Sequence, residues 1–408
     1  MIEFQFIGLQ WFLNPNFVKN LKLDNFKMQA KTFFGFEPIL AEELKSLGAA
    51  DVSIKNRLVE FYGDKGFMYK ANYSLSTALR IIKPVVSFSV KNENQLYERF
   101  KRFDWEDYLD LDQTFLIDAT VHSDYFTHSH YAALKVKDAL ADHFHQKYGK
   151  RPDVDKFSPD VRFNLHISHD KVTLSLDSSG ESLHRRNYKI GHGIAPINEV
   201  LAAGLLKIAG WNGKGNLLDP MCGSGTILTE AAMMAANIPP QLHRKHFGFQ
   251  NWKDYDQDLF EKIKETRLSR ITEFSGKIVG YDLDPSILAT AEKNIANADL
   301  EDFIEVYRKD FFKSKKDLFP VLIVFNPPYN ERIESDNQTL YKSIGDTLKN
   351  HFPNTFAWFI TSDLSAKKYV GLKPSKKVKV FNGKLECDFL RYDIYEGSKK
   401  SSKPNDEN

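Results

Sequence analysis

Cysteine is nearly absent: the 408 residues hold two, Cys222 and Cys387, too few for a disulfide framework or a thiolate zinc site. Long apolar runs are missing as well, since no stretch approaches the ~18–20 residues that span a bilayer. Neither charge sign dominates. Lysine and arginine number 56 against 54 aspartate and glutamate, a formal net charge of +2, which excludes a chain held open by self-repulsion. Glycine (22) and proline (16) are too scarce for a collagen-like or low-complexity chain. No basic segment precedes the apolar patch Phe4–Leu13 and no small-residue cleavage site follows it, so no secretory leader is expected. With 42% hydrophobic residues, the chain is long enough for two or three domains and a sizeable core. A reduced, soluble, cytoplasmic protein with no membrane span is expected.

What is present follows two rhythms. Residues 1–27 are an extension to which no role is assigned. Over 28–180, strand and helix patterns alternate irregularly, as in a compact α+β domain. Thr32–Phe36 reads as a strand, Pro38–Leu47 as a helix closed by Gly48, Val59–Phe61 as a strand, Gly66–Leu79 as a helix, and Asp104–Tyr108 as a helix start. Thr114–Val121 alternates as a strand, Tyr131–Phe144 is an amphipathic helix ending near Gly149, and Val161–Ser168 with Val172–Asp177 form a strand pair. From 181 to 396 short apolar strands alternate with helices, which predicts a mostly parallel, doubly wound α/β sheet. Its last two strands flank Asn382-Gly383, a strong hairpin signal. Lys367, Lys368, Lys373, Lys376, Lys377 and Lys379 crowd together and read as a solvated face, and residues 397–408 as a disordered tail.

Three motifs carry chemistry. In Leu217-Leu218-Asp219-Pro220-Met221-Cys222-Gly223-Ser224-Gly225-Thr226 an apolar strand enters a glycine turn that opens a helix. Such a turn lets backbone amides approach a ligand, yet it lacks the Lys-Ser/Thr pair of a phosphate loop and the three-glycine dinucleotide spacing. In Gly280-Tyr281-Asp282-Leu283-Asp284-Pro285, Asp282 ends the second parallel strand, where it can accept hydrogen bonds from ribose hydroxyls. Asp284 either joins it at the cofactor or simply caps the following helix. Asp310, after the third strand, is placed to hold an adenine amino group. The intervening stretch 238–275, with His243, Arg244, Lys245, His246 and Trp252, is an insertion expected to touch substrate. After the central strand Val321–Phe325 comes Asn326-Pro327-Pro328-Tyr329. The prolines fix a rigid loop, in which the Asn326 amide oxygen and the Pro327 carbonyl converge on one spot, and Tyr329 can stack on an extruded base. Two convergent acceptors suit an exocyclic amino group.

Asp219–Thr226, Gly280–Pro285 and Asn326–Tyr329 together resemble the motifs of class I S-adenosylmethionine-dependent methyltransferases acting on base amino groups of nucleic acids. Upstream, Tyr131–Ala139 and Arg151–Asp155 resemble the RNA-binding THUMP module, and His184–Tyr188 with Ala195–Glu199 resembles the segment that joins it to the catalytic domain. The combination is most similar to the RlmL family of 23S rRNA guanine-N2 methyltransferases, with Asn330 where that family usually has glycine. The resemblance implies a Rossmann-like catalytic sheet with a C-terminal antiparallel hairpin behind a THUMP-containing domain, S-adenosylmethionine as cofactor, ribosomal RNA as partner and no metal. It implies cofactor contacts from Asp219, Pro220, Cys222, Gly223, Gly225, Thr226, Asp282, Asp284, Asp310 and Asn326. Catalysis falls to Asn326, Pro327, Pro328 and Tyr329, and RNA contacts to Lys135, Lys137, Arg151, Arg185 and Arg186. A tRNA guanine-N2 enzyme, an adenine-N6 enzyme and a non-catalytic RNA-binding assembly factor remain alternatives.

Overall fold

The structure, a computed structural model, describes residues 25–190, 197–317, 321–328 and 334–396. Its first unit runs β1 (Phe26–Lys31), α1 (Glu37–Leu47), β2 (Ala50–Lys55), β3 (Leu58–Gly63), α2 (Lys65–Ser74), β4 (Arg80–Ser89), α3 (Glu93–Lys101), β5 (Phe115–His122), α4 (Ser129–Tyr148), β6 (Val161–Ser168) and β7 (Lys171–Asp177). These strands form one seven-stranded sheet in the order β2-β3-β1-β4-β7-β6-β5. Only the β5–β6 pair is parallel among them. Proline in the first turn of α1, buried Leu40, Ala41 and Leu44 on one face, and left-handed Gly48 at its end make that helix as its spacing dictates. α4 likewise buries Val136, Ala139, Leu140 and Phe144 and closes at Gly149.

Several expectations shift. The first strand lies at Phe26–Lys31 rather than Thr32–Phe36, whose phenylalanines serve another purpose. Phe36 is fully buried in the core of the second unit, where a Cβ on Gly204 would come within 2.0 Å of its ring. The helix expected to reach Leu79 ends at Ser74, and Asp104–Tyr108 holds a single 3-10 turn, Trp105–Asp107. β2 was hidden because it is a largely exposed edge strand without alternation, and β4 because Pro84 interrupts it at a register shift.

The second unit runs α5 (Glu199–Ala209), β8 (Asn216–Asp219), α6 (Thr226–Ala235), α7 (Gln257–Leu268), β9 (Ile278–Asp282), α8 (Pro285–Asn297), β10 (Ile304–Arg308), β11 (Val321–Phe325), α9 (Glu334–His351), β12 (Thr355–Thr361), β13 (Lys376–Asn382) and β14 (Leu385–Ile394). Its seven-stranded sheet has the order β10-β9-β8-β11-β12-β14-β13. The first five are parallel, and β14 runs antiparallel between β12 and β13, as the α/β reading with its closing hairpin requires. Separate apolar clusters cover its two faces. The hairpin turn is Gly383-Lys384, one position later than expected, because Asn382 pairs with Leu385 and Gly383 takes the positive φ of 63°. No helix among the described residues is long and apolar enough to cross a membrane.

The inserted stretch 238–275 does not reach the catalytic edge of this sheet. It packs on α2: Phe249 stacks on Tyr69 at 4.3 Å between ring centroids, and Phe260 meets both Tyr69 and Tyr73 edge-on. Arg244 donates to the carbonyls of Ser179, Glu181 and Ser182, which ties the insertion to the segment between the units. Its aromatic content is therefore interdomain core.

Candidate active site

The parallel sheet reverses its strand order between β8 and β11, and the carboxyl ends of its strands open there into a crevice. β8 buries Leu217 and Leu218 and ends on Asp219. Gly223 (φ 53°) and Gly225 (φ 79°) take left-handed conformations that bend the chain into α6. Their duties differ. A Cβ on Gly223 would meet open space, so this residue leaves room for a ligand, whereas one on Gly225 would touch Ala291 Cβ at an ordinary 3.4 Å, so there the left-handed backbone rather than crowding favours glycine.

Four strand ends supply side chains to a cavity of about 480 Å³, lined by Asp219, Gly223, Asp282, Asp310, Asn326 and Pro327 among others. That size suits a cofactor-sized ligand. Asp219 is 1% exposed and accepts the Met221 amide at 3.1 Å. Burial, reinforced by Asp282 nearby, pushes its carboxyl well above the usual carboxylate range. Asp282 accepts the Gly223 amide at 3.0 Å through one oxygen and the Asp284 amide at 3.0 Å through the other, so it braces the glycine turn while facing the cavity. Asp310 accepts the Phe312 amide at 2.9 Å. Pro327 is buried and Pro328 exposed beside the half-buried Asn326. The Asn326 Oδ1 is shielded from solvent and has no hydrogen-bond partner among the described residues. An unsatisfied buried amide oxygen on a cavity wall is costly unless a donor arrives.

Pro220, Cys222 and Thr226 also line the cavity, while Gly225 does not. Asp284 does not line it either: its carboxylate caps α8 by accepting from Ser286 N at 2.8 Å and Ile287 N at 3.4 Å. The Ser286 hydroxyl and amide hold its pKa below the usual range. Tyr329 and Asn330 lie outside the described residues. Sequence reasoning missed Lys309 and Leu340 on the cavity wall. The first was legible as the neighbour of Asp310; the second, an apolar position on α9, carries no distinguishing pattern.

Residues 186–391 match the RMKL-like methyltransferase domain. The chain belongs to this methyltransferase family. Residues 90–177 match the THUMP domain and 27–82 the RlmL ferredoxin-like domain, two matches that meet in a single sheet through the β4–β7 pair. The chain is 38% identical over 375 residues to a ribosomal RNA large subunit methyltransferase K/L of Cellvibrio japonicus, covering 88% of this chain and 50% of that one. A protein of Synechocystis sp. named as an RNA methyltransferase, slr0064, is 35% identical and covers 88% of this chain and 95% of itself. The solved structure of the methyltransferase SMU.472, complexed with SAH, superposes with a TM-score of 0.81 at 26% identity, over 92% of this chain and 99% of that one. The chain spans about half the length of the K/L relatives it matches, 50% and 53% for two of them.

In this RMKL-like methyltransferase the residues expected to meet RNA differ in access. Lys135 lies 5.4 Å from the Tyr131 ring centroid, Lys137 pairs with Asp138 at 2.6 Å, and Arg151 pairs with Asp142 at 2.8 Å. Arg185 is exposed beside Glu181. Arg186 is a correction. It is 1% exposed, its guanidinium bonds the Ser76 and Leu183 carbonyls at 2.6 and 2.7 Å, and it pairs with buried Glu230 at 3.3 Å. An enclosed guanidinium cannot meet a phosphate; it is an internal strut between the two units.

Proposed function

We propose that this chain transfers a methyl group from S-adenosylmethionine to the exocyclic N2 amine of a guanine in large-subunit (23S) ribosomal RNA, in the cytoplasm. The carrying observation is the Asn326 Oδ1, unpartnered among the described residues, at the end of the central strand, in a residue that lines the same cavity as the glycine turn. The cavity fits the cofactor in kind: carboxylates on successive strand ends for its polar groups, and apolar wall between them. S-adenosylmethionine supplies, when bound, an electrophilic methyl group on a cationic sulfur.

The protein's own part is positioning. Asp282 presents a carboxylate suited to ribose hydroxyls while it holds Gly223 in place. Asp219, whose ionisation burial opposes, is relieved by a neighbouring cation such as an amino group. The Asn326 Oδ1 and the Pro327 carbonyl accept the two N–H bonds of an aryl amine and draw its lone pair out of the ring, towards the methyl donor. Neither is a base, so the proton that the amine loses passes to solvent. A THUMP match upstream and relatives named for ribosomal RNA support RNA as substrate.

Transfer of tritiated methyl to a mixture of deproteinised ribosomal RNA and tRNA, followed by separation of the RNAs and nucleoside analysis, tests this reading. N2-methylguanosine in the large-subunit RNA is expected. Label in N6-methyladenosine, in tRNA alone, or in no nucleotide would overturn it.

A further inference from the structure

The turn that carries Phe34 and the hairpin turn Asn56-Arg57 are held by one buried carboxylate. Glu37, 7% exposed, accepts the Gly35 amide at 2.7 Å through one oxygen and the Arg57 amide at 2.7 Å through the other. Both turns face the β13–β14 hairpin of the other unit. The Phe34 ring meets Phe381 edge-on at 5.9 Å, and the Arg57 guanidinium lies 5.8 Å from the Phe381 ring centroid. Despite this clamp, Phe34 remains 43% exposed and neighbouring Leu385 55% exposed. Arg57 sits at φ 54°, a conformation for which glycine or asparagine is the ordinary choice in a two-residue hairpin turn. Folding alone does not ask for arginine there.

Strand register places this cluster relative to the catalytic corner. Phe325 pairs with Phe359, so Pro327 and Thr361, each two residues on, stand level; Thr361 pairs with Asp388, and Asp388 with Lys379. Asn382 and Leu385 lie three residues further in the same direction. Along the strands, at ~3.3 Å per residue, the hairpin tip reaches about 10 Å beyond the level of the Asn326 corner, two to three strands across the sheet from it, on the side where the cavity opens. The charge there is basic: Lys55, Arg57 and Lys384 are exposed, and no described carboxylate pairs with them, while Lys379 is matched by Glu386 at 2.7 Å.

We propose that Phe34 and Arg57, braced against the hairpin tip, form a nucleotide-holding wall for a single-stranded segment of the RNA substrate flanking the target base. Phe34 offers a face on which a base stacks, and Arg57 a cation for the adjoining phosphate. Such a wall, built from both units, presents the extruded nucleotide to Asn326 from a fixed direction. This inference rests on the RNA methyltransferase reading above.

Filter binding of an in-vitro 23S rRNA transcript to the full chain and its variants tests it. Phe34→Ala is expected to weaken RNA binding by roughly fivefold or more, with S-adenosylmethionine affinity unchanged. Phe34→Trp restores binding, and its added emission is quenched by RNA relative to the parent. Arg57→Asn, which tolerates the backbone, lowers the slope of log affinity against log salt by about one. Native affinity in both Phe34→Ala and Arg57→Asn would overturn the wall. So would added emission in Phe34→Trp that ignores RNA, since a merely structural aromatic predicts that result. A parent protein that binds no ribosomal RNA would instead overturn the underlying reading, a result distinct from either.

Discussion

The two seven-stranded sheets of this protein put their strand ends to different uses. In the first, all pairs but β5–β6 are antiparallel, so strands adjacent in the sheet mostly present their carboxyl ends at opposite edges, and charged groups such as Arg162 and Lys147 meet neighbours, Asp118 and Glu106. In the second, five parallel strands bring their carboxyl ends to one edge, and Asp219, Asp282, Asp310 and Asn326 share a cavity although they are far apart in sequence. Composition does not distinguish the two units; connection topology does. Parallel strands collect chemistry at one rim, and the antiparallel sheet offers broad outer surface for docking.

The sharpest way to break this division is at the joint. Arg186 spans the Ser76 carbonyl of the first unit and Glu230 on α6, the helix that the glycine turn opens. Arg186→Ala leaves Glu230 buried without its cation and is expected to cost about 3–5 kcal/mol in denaturant unfolding. Arg186→Met with Glu230→Leu should recover most of that loss, because the two apolar side chains leave no orphaned charge. Burial already holds the Glu230 carboxyl above its ordinary value despite Arg186. Without the guanidinium it rises further, so the single variant is least impaired near pH 4 and loses stability as pH rises from there towards the folded pKa. A loss independent of pH would mean that the strut works through packing alone.

Asn326→Ala attacks the other side of the comparison. The Asn326 Oδ1 has no partner in the described structure, so fold and cofactor affinity should stay near native, within about twofold. Single-turnover methyl transfer should fall by about 10²–10³-fold, the order of effect seen when one preorganised polar contact to a reacting group is lost. Near-native transfer would remove the amide from the chemistry.

The parallel sheet was far more legible in sequence than the antiparallel one, for a physical reason. Its central strands are buried on both faces and read as short apolar runs, and its turns carry unmistakable chemistry such as Gly223-Ser224-Gly225 and Asn326-Pro327-Pro328. In the first unit β2 is exposed, β4 contains a proline, and Thr32–Phe36 mimics a strand because Phe36 is bound for another core. At the site, strand ends and cavity-lining motifs emerged from the pattern. What did not emerge was long-range pairing: Arg186 with Glu230, and the insertion with α2, are contacts whose partners no local window contains. Asp284 shows the limit of motif reading, since a capping carboxylate and a ligand-binding one are spelled alike.

Asp282→Ala should have a smaller effect than either. It removes both the acceptor of the Gly223 amide and a carboxylate on the cavity wall. Hydrogen bonds to a charged group are worth about 1.5–3 kcal/mol, so cofactor affinity should fall by roughly 10–100-fold in calorimetry. An unchanged dissociation constant would count against a ribose contact at this position and leave Asp282 as a brace for the turn.

The subtlest expectation concerns Asp219, where stability and binding should part company. Burial, then Asp282, pushes its carboxyl well above the usual carboxylate range, so ionising it in the ligand-free fold is unfavourable. Below about pH 4 the group is neutral folded and unfolded alike, and above that its unfolded form sheds the proton first, so folding stability declines as pH rises towards the folded pKa. Asp219→Asn keeps an oxygen for the Met221 amide and carries no charge. The ligand-free variant should therefore melt above the native protein at pH 8, by a margin that closes as pH falls towards 4, while its affinity for a cationic cofactor drops. If the variant melts lower at every pH, Asp219 is an ionised part of the framework, and the division between a cavity strained for binding and a sheet optimised for stability fails at its most buried residue.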